Sequence, residues 1–427
     1  MMALLMFLGL VALIPINVPI AIALGSVAMV AMVWFGGLDS LLSAAITMFS
    51  GATSFPLLAI PLFVLAGAIM NSSSLSRRLI AFASALFGFI KGGLAMVNIG
   101  TSLFFAEISG SAVADVAAMG SILVPAMKKK GYPKEFAAAV TSSSATLAII
   151  IPPSIPMILY AVMAETSVVQ LFVAGIVPGI LGGGGMMALA YWYAKRYNYP
   201  VEEVFSWQRV RATFKDAAWA FLLPLIILGG IFGGVVTATE GAALAVVAAL
   251  FIGAVIYREL NLRHLMDSMV EGSVQTAVVM LLVAASALLG HLLTEQQMPQ
   301  QLASWIASLT DNKWAVLAIL NVFFLLAGLF LHSAAAIILV VPIVMPLVNA
   351  VGIDPVHFGL IVTLNLGIGQ QTPPVASVLA TACSIAKADM WKVTRVNLPF
   401  IGVLVALLML VTYVPAVPMF LVEVFYR

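Results

Sequence analysis

Two proline pairs stand 221 residues apart in this chain, Pro152-Pro153 in IIPPS and Pro373-Pro374 in QQTPP, each inside a long apolar run and beside hydroxyl-bearing residues. Proline removes a backbone donor and clashes with the preceding turn, so each pair must break a helix. A break facing lipid would leave backbone groups unsatisfied, which confines it to protein interior or a water-filled cavity. There, freed carbonyls and hydroxyls can replace the water shell of a cation, while half-helix N-termini turn positive dipole ends toward an anion. An oxygen-rich, cysteine-poor inventory suits sodium better than a transition metal. The candidate sodium ligands are Ser109, Gly110, Ser111, Ser143, Ser144 and Pro152 in the first half, and Gly328, Gly369, Gln370 and Thr372 in the second. The candidate substrate contacts are Ser111, Asp115, Pro153 and Ser154, with His332, Ser333, Gln371 and Pro373.

Some of these residues carry two readings. Asp115 lies at a depth where an unpaired carboxylate is costly, so it serves an ion or polar network, or caps the turn beside it. His332 is either a protonatable substrate contact or a hydrogen-bonded structural histidine. Glu240 reads as an acidic residue at a helix start that Thr239 caps. Glu202-Glu203 reads as a solvated loop pair.

The elements that must position these residues follow from charge and length. Between Lys91 and Lys128 lie 36 residues without Lys or Arg, and the middle of that run holds Glu107, Ser109-Gly110-Ser111 and Asp115. Two full crossings need about 20 apolar residues each, so the run is too short for them. It predicts a re-entrant hairpin over about 92–127 that opens on the face carrying Lys91 and Lys128, Lys129 and Lys130, as the positive-inside rule requires. A broken helix follows over about 133–164, interrupted at Thr141-Ser142-Ser143-Ser144 and again at the proline pair. The second half repeats the first at the same offset: Pro125 falls on Pro346, and Val18-Pro19-Ile20-Ala21 on Thr239-Glu240-Gly241-Ala242. That is an internal duplication. It predicts a second hairpin over about 314–350 and a second broken helix over about 355–386.

The first repeat spans 1–197, a cytoplasmic loop 198–216, and the second repeat 217–427. In the first, spans are expected over 2–14, 18–35, 52–70 and 178–196, with an amphipathic arm along the interface at 75–90; its counterpart falls at about 297–309. About five spans per repeat, an odd number, inserts the second copy upside down. With both termini on the periplasmic side, 17 of the 19 basic residues fall on the cytoplasmic face, leaving Lys313 and Arg427 outside.

Composition bounds the class. At 63% hydrophobic and 8% charged residues, against about 25% charged in soluble chains, the chain is an all-α polytopic membrane protein. Its net charge of +2 does not suggest nucleic acid. The single cysteine, Cys383, excludes intramolecular disulfides and a cysteine-rich metal site. An intramembrane enzyme is disfavoured, because Cys383 has no nearby histidine and His264, His291, His332 and His357 are scattered.

The segments SFPLLAIPLFVLAG (54–67), AEISGSAVADVAAMGSILVPAMKKKGY (106–132), IIPPSIPMILYA (150–161), GGIFGGVVTATEGAALAV (229–246) and LNLGIGQQTPPVASVL (364–379) together resemble the large membrane subunit of the tripartite ATP-independent periplasmic (TRAP) transporters. The resemblance covers nearly the whole chain. It implies a periplasmic substrate-binding protein, a small four-helix membrane subunit supplied as a separate chain, sodium coupling, and an elevator motion of a hairpin-bearing domain in a bacterial inner membrane. The implied substrates are small organic acids, C4-dicarboxylates and sialic acid among them. The alternative is a self-sufficient cation-coupled carboxylate symporter of the same ion-transporter superfamily.

Overall fold

Backbone groups inside a bilayer must be satisfied within their own segment, and helices do this. A computed structural model describes residues 18–73, 75–202, 204–298 and 312–426, together with 6, 9, 13, 300, 301, 304 and 310, and every regular element among them is helical. Helix α1 (Ile20–Gly36) turns into α2 (Leu41–Ala52), and a 3-10 turn at Phe55–Leu58 leads into α3 (Ala59–Ser72). After α4 (Leu75–Phe87) come the hairpin α5 (Gly93–Ser109) and α6 (Ala112–Lys129), the interrupted pair α7 (Lys134–Ala145) and α8 (Ile155–Met163), and α9 (Val168–Arg196). The second half follows with α10 (Trp207–Phe232), α11 (Ala238–Phe251, extended by a π turn to Ile256) and α12 (Leu262–Glu295). Its hairpin is α13 (Lys313–Phe330) and α14 (Ser333–Ala350), its interrupted pair α15 (Pro355–Gly369) and α16 (Ser377–Ala386), and the chain closes with α17 (Met390–Tyr413) and α18 (Ala416–Tyr426). Among the described residues, eight helices are long and apolar enough to cross a membrane.

Each half carries a helical hairpin followed by an interrupted helix, and the two sets are inverted with respect to each other. Lys128 Nζ donates to Ala386 O (3.1 Å) and Lys134 Nζ to Lys387 O (3.1 Å), so the mouth of the first hairpin lies beside the end of α16. Tyr160 OH donates to Pro355 O (2.7 Å) and Lys313 Nζ to Gly352 O (3.5 Å), so the mouth of the second lies beside the end of α8. The two interrupted helices therefore run antiparallel, and the hairpins open at opposite ends.

A second body is built from α1 to α3 and α10 to α12. Helix α12, at roughly 50 Å by the helical rise, packs against α1, α2 and α3. It runs antiparallel to α3: Ser268 Oγ donates to Ala68 O (3.2 Å) and pairs with Ser72 Oγ (2.9 Å), while Gly272 faces Leu65. Toward the other end of α12, Gly51 of α2 lies against Ala287. The α2–α3 segment is thus the counterpart of α12, interrupted at Thr53-Ser54.

Helix α4 is tied near both ends to other elements. Near its start, Arg78 pairs with Asp216 and with Glu259 (2.9 Å), and its guanidinium stacks 4.0 Å from the Tyr257 ring centroid. Just past its end, Gly88 O accepts from Glu202 N–H (3.1 Å). Exposed ion pairs are worth about 0–1 kcal/mol, and Asp216 is 55% exposed in its side chain. A double-mutant cycle of Arg78→Ala and Asp216→Ala, read by thermal unfolding, is therefore expected to give a coupling below about 1 kcal/mol.

Four expectations differ from the structure. Helix α2 is an extra element between the spans expected at 18–35 and 52–70. The polar stretch 198–216 is loop only as far as Ser206, whose side chain accepts from Arg209 N–H (3.4 Å) and starts α10. The Thr141–Ser144 run does not interrupt its helix; α7 continues through it and gives way at Thr146. Glu202 is not solvated: its side chain is 7% exposed and paired with Lys130 at 2.9 Å. Burial, reinforced by the Glu202 charge, pushes the Tyr132 phenol beside it well above its ordinary value. The span expected at 2–14, apart from Met6, Gly9 and Leu13, lies outside the described residues, as do Glu203 and most of the arm expected at 297–309.

Candidate functional site

Each hairpin docks its tip on the break of its own repeat's interrupted helix. In the first repeat, Gly110 joins α5 to α6 at φ +60°, a left-handed conformation that glycine adopts without strain. A Cβ there would sit 2.7 Å from Pro153 O and 3.3 Å from Ser154 Cα, and Gly110 O accepts from Ile155 N–H (3.4 Å). The tip thus rests backbone to backbone on the break. Ser111 is extended and caps α6, accepting from Ala114 N–H (3.5 Å). Ser154 caps α8, accepting from Met157 N–H (3.4 Å) and donating to Ile149 O (2.6 Å). Two helix N-termini therefore start at this junction. Pro152 and Pro153, joined by a cis peptide, are buried beside it. Asp115, fully buried, lies in the first turn of α6. Ser109 ends α5, but its side chain, like those of Glu107 and Ile108, lies outside the described residues.

The second repeat builds the same junction with different atoms. Gly328 of α13 and Gly369 of α15 touch through their backbones: a Cβ on Gly369 would fall 2.5 Å from Gly328 Cα and 2.7 Å from its carbonyl oxygen. Val375 N–H donates to Leu329 O (3.4 Å) across the junction. Thr372 turns the chain after α15, its N–H donating to Gly369 O (2.9 Å) and its hydroxyl to Ile368 O (3.1 Å). His332, exposed, occupies the position ahead of α14 without capping it through its side chain, and Ser333 beside it is buried. Pro373, half-buried, is joined to Pro374 by a cis peptide.

Gln371 locks the two breaks together. Its Nε2 donates to Ser142 O (2.8 Å) and to Thr146 Oγ1, while its Oε1 accepts from Ser142 Oγ and from Asn397 Nδ2 (3.3 Å). The structure therefore engages both ends of this amide in joining the repeats, where a substrate contact was expected. Ser143 donates to Asn397 Oδ1, and Ser144 Oγ accepts from Ser102 Oγ (2.7 Å), which engages both hydroxyls in contacts between α7 and the neighbouring helices α17 and α5. Buried amides missed in the sequence complete the pattern. Asn98 links α5 to Thr141 (2.6 Å), and Asn365 donates to Asn321 (2.6 Å), which donates to Thr412 (3.1 Å). An Asn in mid-span of an apolar helix is itself a signal, because it must find partners inside the protein.

Glu240 has the helix-start role expected of it, with a different partner. Thr237 is the cap, and Glu240 closes a capping box by accepting from Thr237 N–H (2.8 Å). Thr239 instead donates to Phe55 O (3.2 Å).

Two hairpins of opposite orientation, each seated by its tip on a broken helix, define an inverted-repeat membrane transporter. The chain belongs to one family of that class: residues 7–417 match the model of the tripartite ATP-independent periplasmic transporter, DctM component. It is 40% identical over 379 residues to the C4-dicarboxylate TRAP transporter large permease protein DctM of Pseudomonas aeruginosa, covering 89% of each chain. It is 42% identical over 409 residues to the isethionate TRAP transporter permease protein DctMQ of Oleidesulfovibrio alaskensis, covering 95% of this chain and 64% of that longer protein. Against the sialic acid TRAP transporter large permease protein SiaM of Vibrio cholerae it is 38% identical over 382 residues, 90% of each chain. Among solved structures, the YdaH transporter of Alcanivorax borkumensis, described as having an unusual topology, shares the fold with a TM-score of 0.63 over 89% of each chain at 16% identity.

Proposed function

We propose that this chain is the translocating subunit of a sodium-coupled system that takes up a small organic acid. The carrying observation is the duplicated junction, in which Gly110 meets Pro153 and Gly328 meets Gly369 and a hairpin tip is held against an opened helix in each repeat. Such junctions present carbonyls and hydroxyls to a cation and helix N-termini to an anion. Sodium is held at both junctions, and the acid is received between them. The relatives' named substrates, C4-dicarboxylate, isethionate and sialic acid, are all organic anions and support this class.

In this reading the repeats 1–197 and 217–427 each contribute one hairpin. The hairpins and broken helices move as one load-bearing body against α1 to α3 and α10 to α12, with α4 as a link. The basic mouth of the first hairpin faces the cytoplasm of a bacterial inner membrane, and both termini face the periplasm. A periplasmic binding protein delivers the acid, and a small four-helix membrane subunit completes the complex.

Ser111→Ala and Thr372→Ala are expected to raise the sodium concentration for half-maximal uptake by about fivefold or more, the scale of one lost charge-assisted contact. The measurement is uptake by the reconstituted complex across a sodium series at matched protein levels. Unchanged sodium dependence in both variants would remove the sodium assignment. Uptake by this chain alone in liposomes, without partner or binding protein, would favour a self-sufficient symporter.

A further inference from the structure

Adjacent glutamines at the second helix break are treated in opposite ways. The Gln371 amide is engaged at both ends by Ser142, Thr146 and Asn397. Gln370 is just as inaccessible, at 2% exposure, yet its Oε1 accepts only a 3.5 Å contact from Ser377 Oγ, and its buried Nε2 has no partner among the described residues. A buried donor left without an acceptor is costly, so such a group needs either a packing reason or a ligand. The position does point to a ligand: Gln370 follows Gly369, whose backbone meets Gly328 at the hairpin tip, and stands two residues ahead of Thr372 at the opened turn.

The chemistry of the free atom decides the kind of ligand. An amide N–H2 presents hydrogen to its partner, so it repels a sodium ion and takes an oxygen that accepts. We propose that Gln370 Nε2 donates to an anionic oxygen, carboxylate or sulfonate, of the transported substrate, which makes Gln370 a substrate-selecting residue in place of the sodium ligand its sequence context suggested. This rests on the organic-acid transport reading above. It also separates the two roles along one short segment: Gly369 and Thr372 offer oxygens to the cation, and Gln370 offers hydrogen to the anion.

The test is thermal unfolding of the purified full chain in choline chloride, in sodium chloride, and in sodium chloride with succinate, isethionate or sialic acid. The wild-type chain is expected to be stabilised by sodium and further by at least one of the anions. Gln370→Glu replaces the donor with a second acceptor while keeping the Ser377 contact. It is expected to retain the sodium shift and to need tenfold or more of that anion for half-maximal stabilisation. Gln370→Met, which removes the polar atoms at similar volume, is expected to do the same, and it carries the test if the Glu variant fails to fold. An unchanged anion response in both variants overturns the assignment, and so does a sodium response altered in place of the anion response. If no anion stabilises the wild-type chain, the organic-acid reading itself falls.

Discussion

Replacing Gln371 with leucine is expected to destabilise the protein by about 3 kcal/mol or more, from buried groups costing about 1–3 kcal/mol each when stranded. Leucine keeps most of the volume and removes only the amide. It would strand the Ser142 hydroxyl and Asn397 Nδ2 and take one of two partners from the Ser142 carbonyl and the Thr146 hydroxyl, which keep only each other, all at positions closed to water. These groups share one partner, so their costs do not simply add, and the estimate stays below their sum. Thermal or denaturant unfolding of the purified chain measures the effect. Gln370→Leu is the control, because that amide makes only one long contact; it is expected to cost under about 1 kcal/mol. Equal losses in the two variants would mean that Gln371 does not lock the repeats. The effect on transport should follow, since the two breaks would no longer hold a fixed distance across the middle of the hairpin-bearing body.

The hairpins were legible because membranes make charge expensive. Lys91 and Lys128 to Lys130 bracket a run too short for two crossings, and that alone placed α5 and α6. The second hairpin has no such bracket; Lys313 stands alone at its mouth. Only the repeat, through the matched proline pairs, located α13 and α14. Proline pairs also marked the breaks within a few residues, because the missing donor and the ring clash act locally. The pairings of Gln371 with Ser142 and of Ser143 with Asn397 were not legible, since the partners lie 229 and 254 residues apart in sequence. Local pattern cannot tell a serine that faces an ion from one that faces an asparagine on another helix. Glu202 was misread for the same reason: nothing in the loop sequence says that it folds back onto Lys130. Helix α2 was missed because Leu38 to Ala52 mixes serine, threonine and glycine into an apolar stretch, which looks like a connector until α12 is there to pack against.

Gly369→Ala is expected to abolish most uptake while leaving the protein in the membrane. The added methyl would meet Gly328 Cα at 2.5 Å and its carbonyl oxygen at 2.7 Å. Ordinary carbon contacts lie near 3.5–4.0 Å, so the hairpin and the broken helix must part by about 1 Å. Neither neighbour can yield as a flexible side chain would, because the atoms in the way are backbone. Overpacking of this kind costs about 1–3 kcal/mol, enough to lower the melting temperature without unfolding a chain of this size. The functional loss should be larger than the stability loss, because the carbonyls around Gly328, Gly369 and Thr372 form the junction proposed to hold the cation. The sodium-induced thermal shift should therefore fall along with uptake. Gly402→Ala is a suitable comparison, since a Cβ there would meet nothing within 4 Å; it is expected to behave as the unsubstituted chain in both measurements. Normal sodium-dependent uptake by Gly369→Ala would show that close backbone approach at the second tip is not needed for transport. The first tip offers the matching case in Gly110, where the same substitution adds left-handed strain to the clash with Pro153. Losses at both positions, one on a hairpin tip and one on an interrupted helix, would tie transport to the seating of both hairpins.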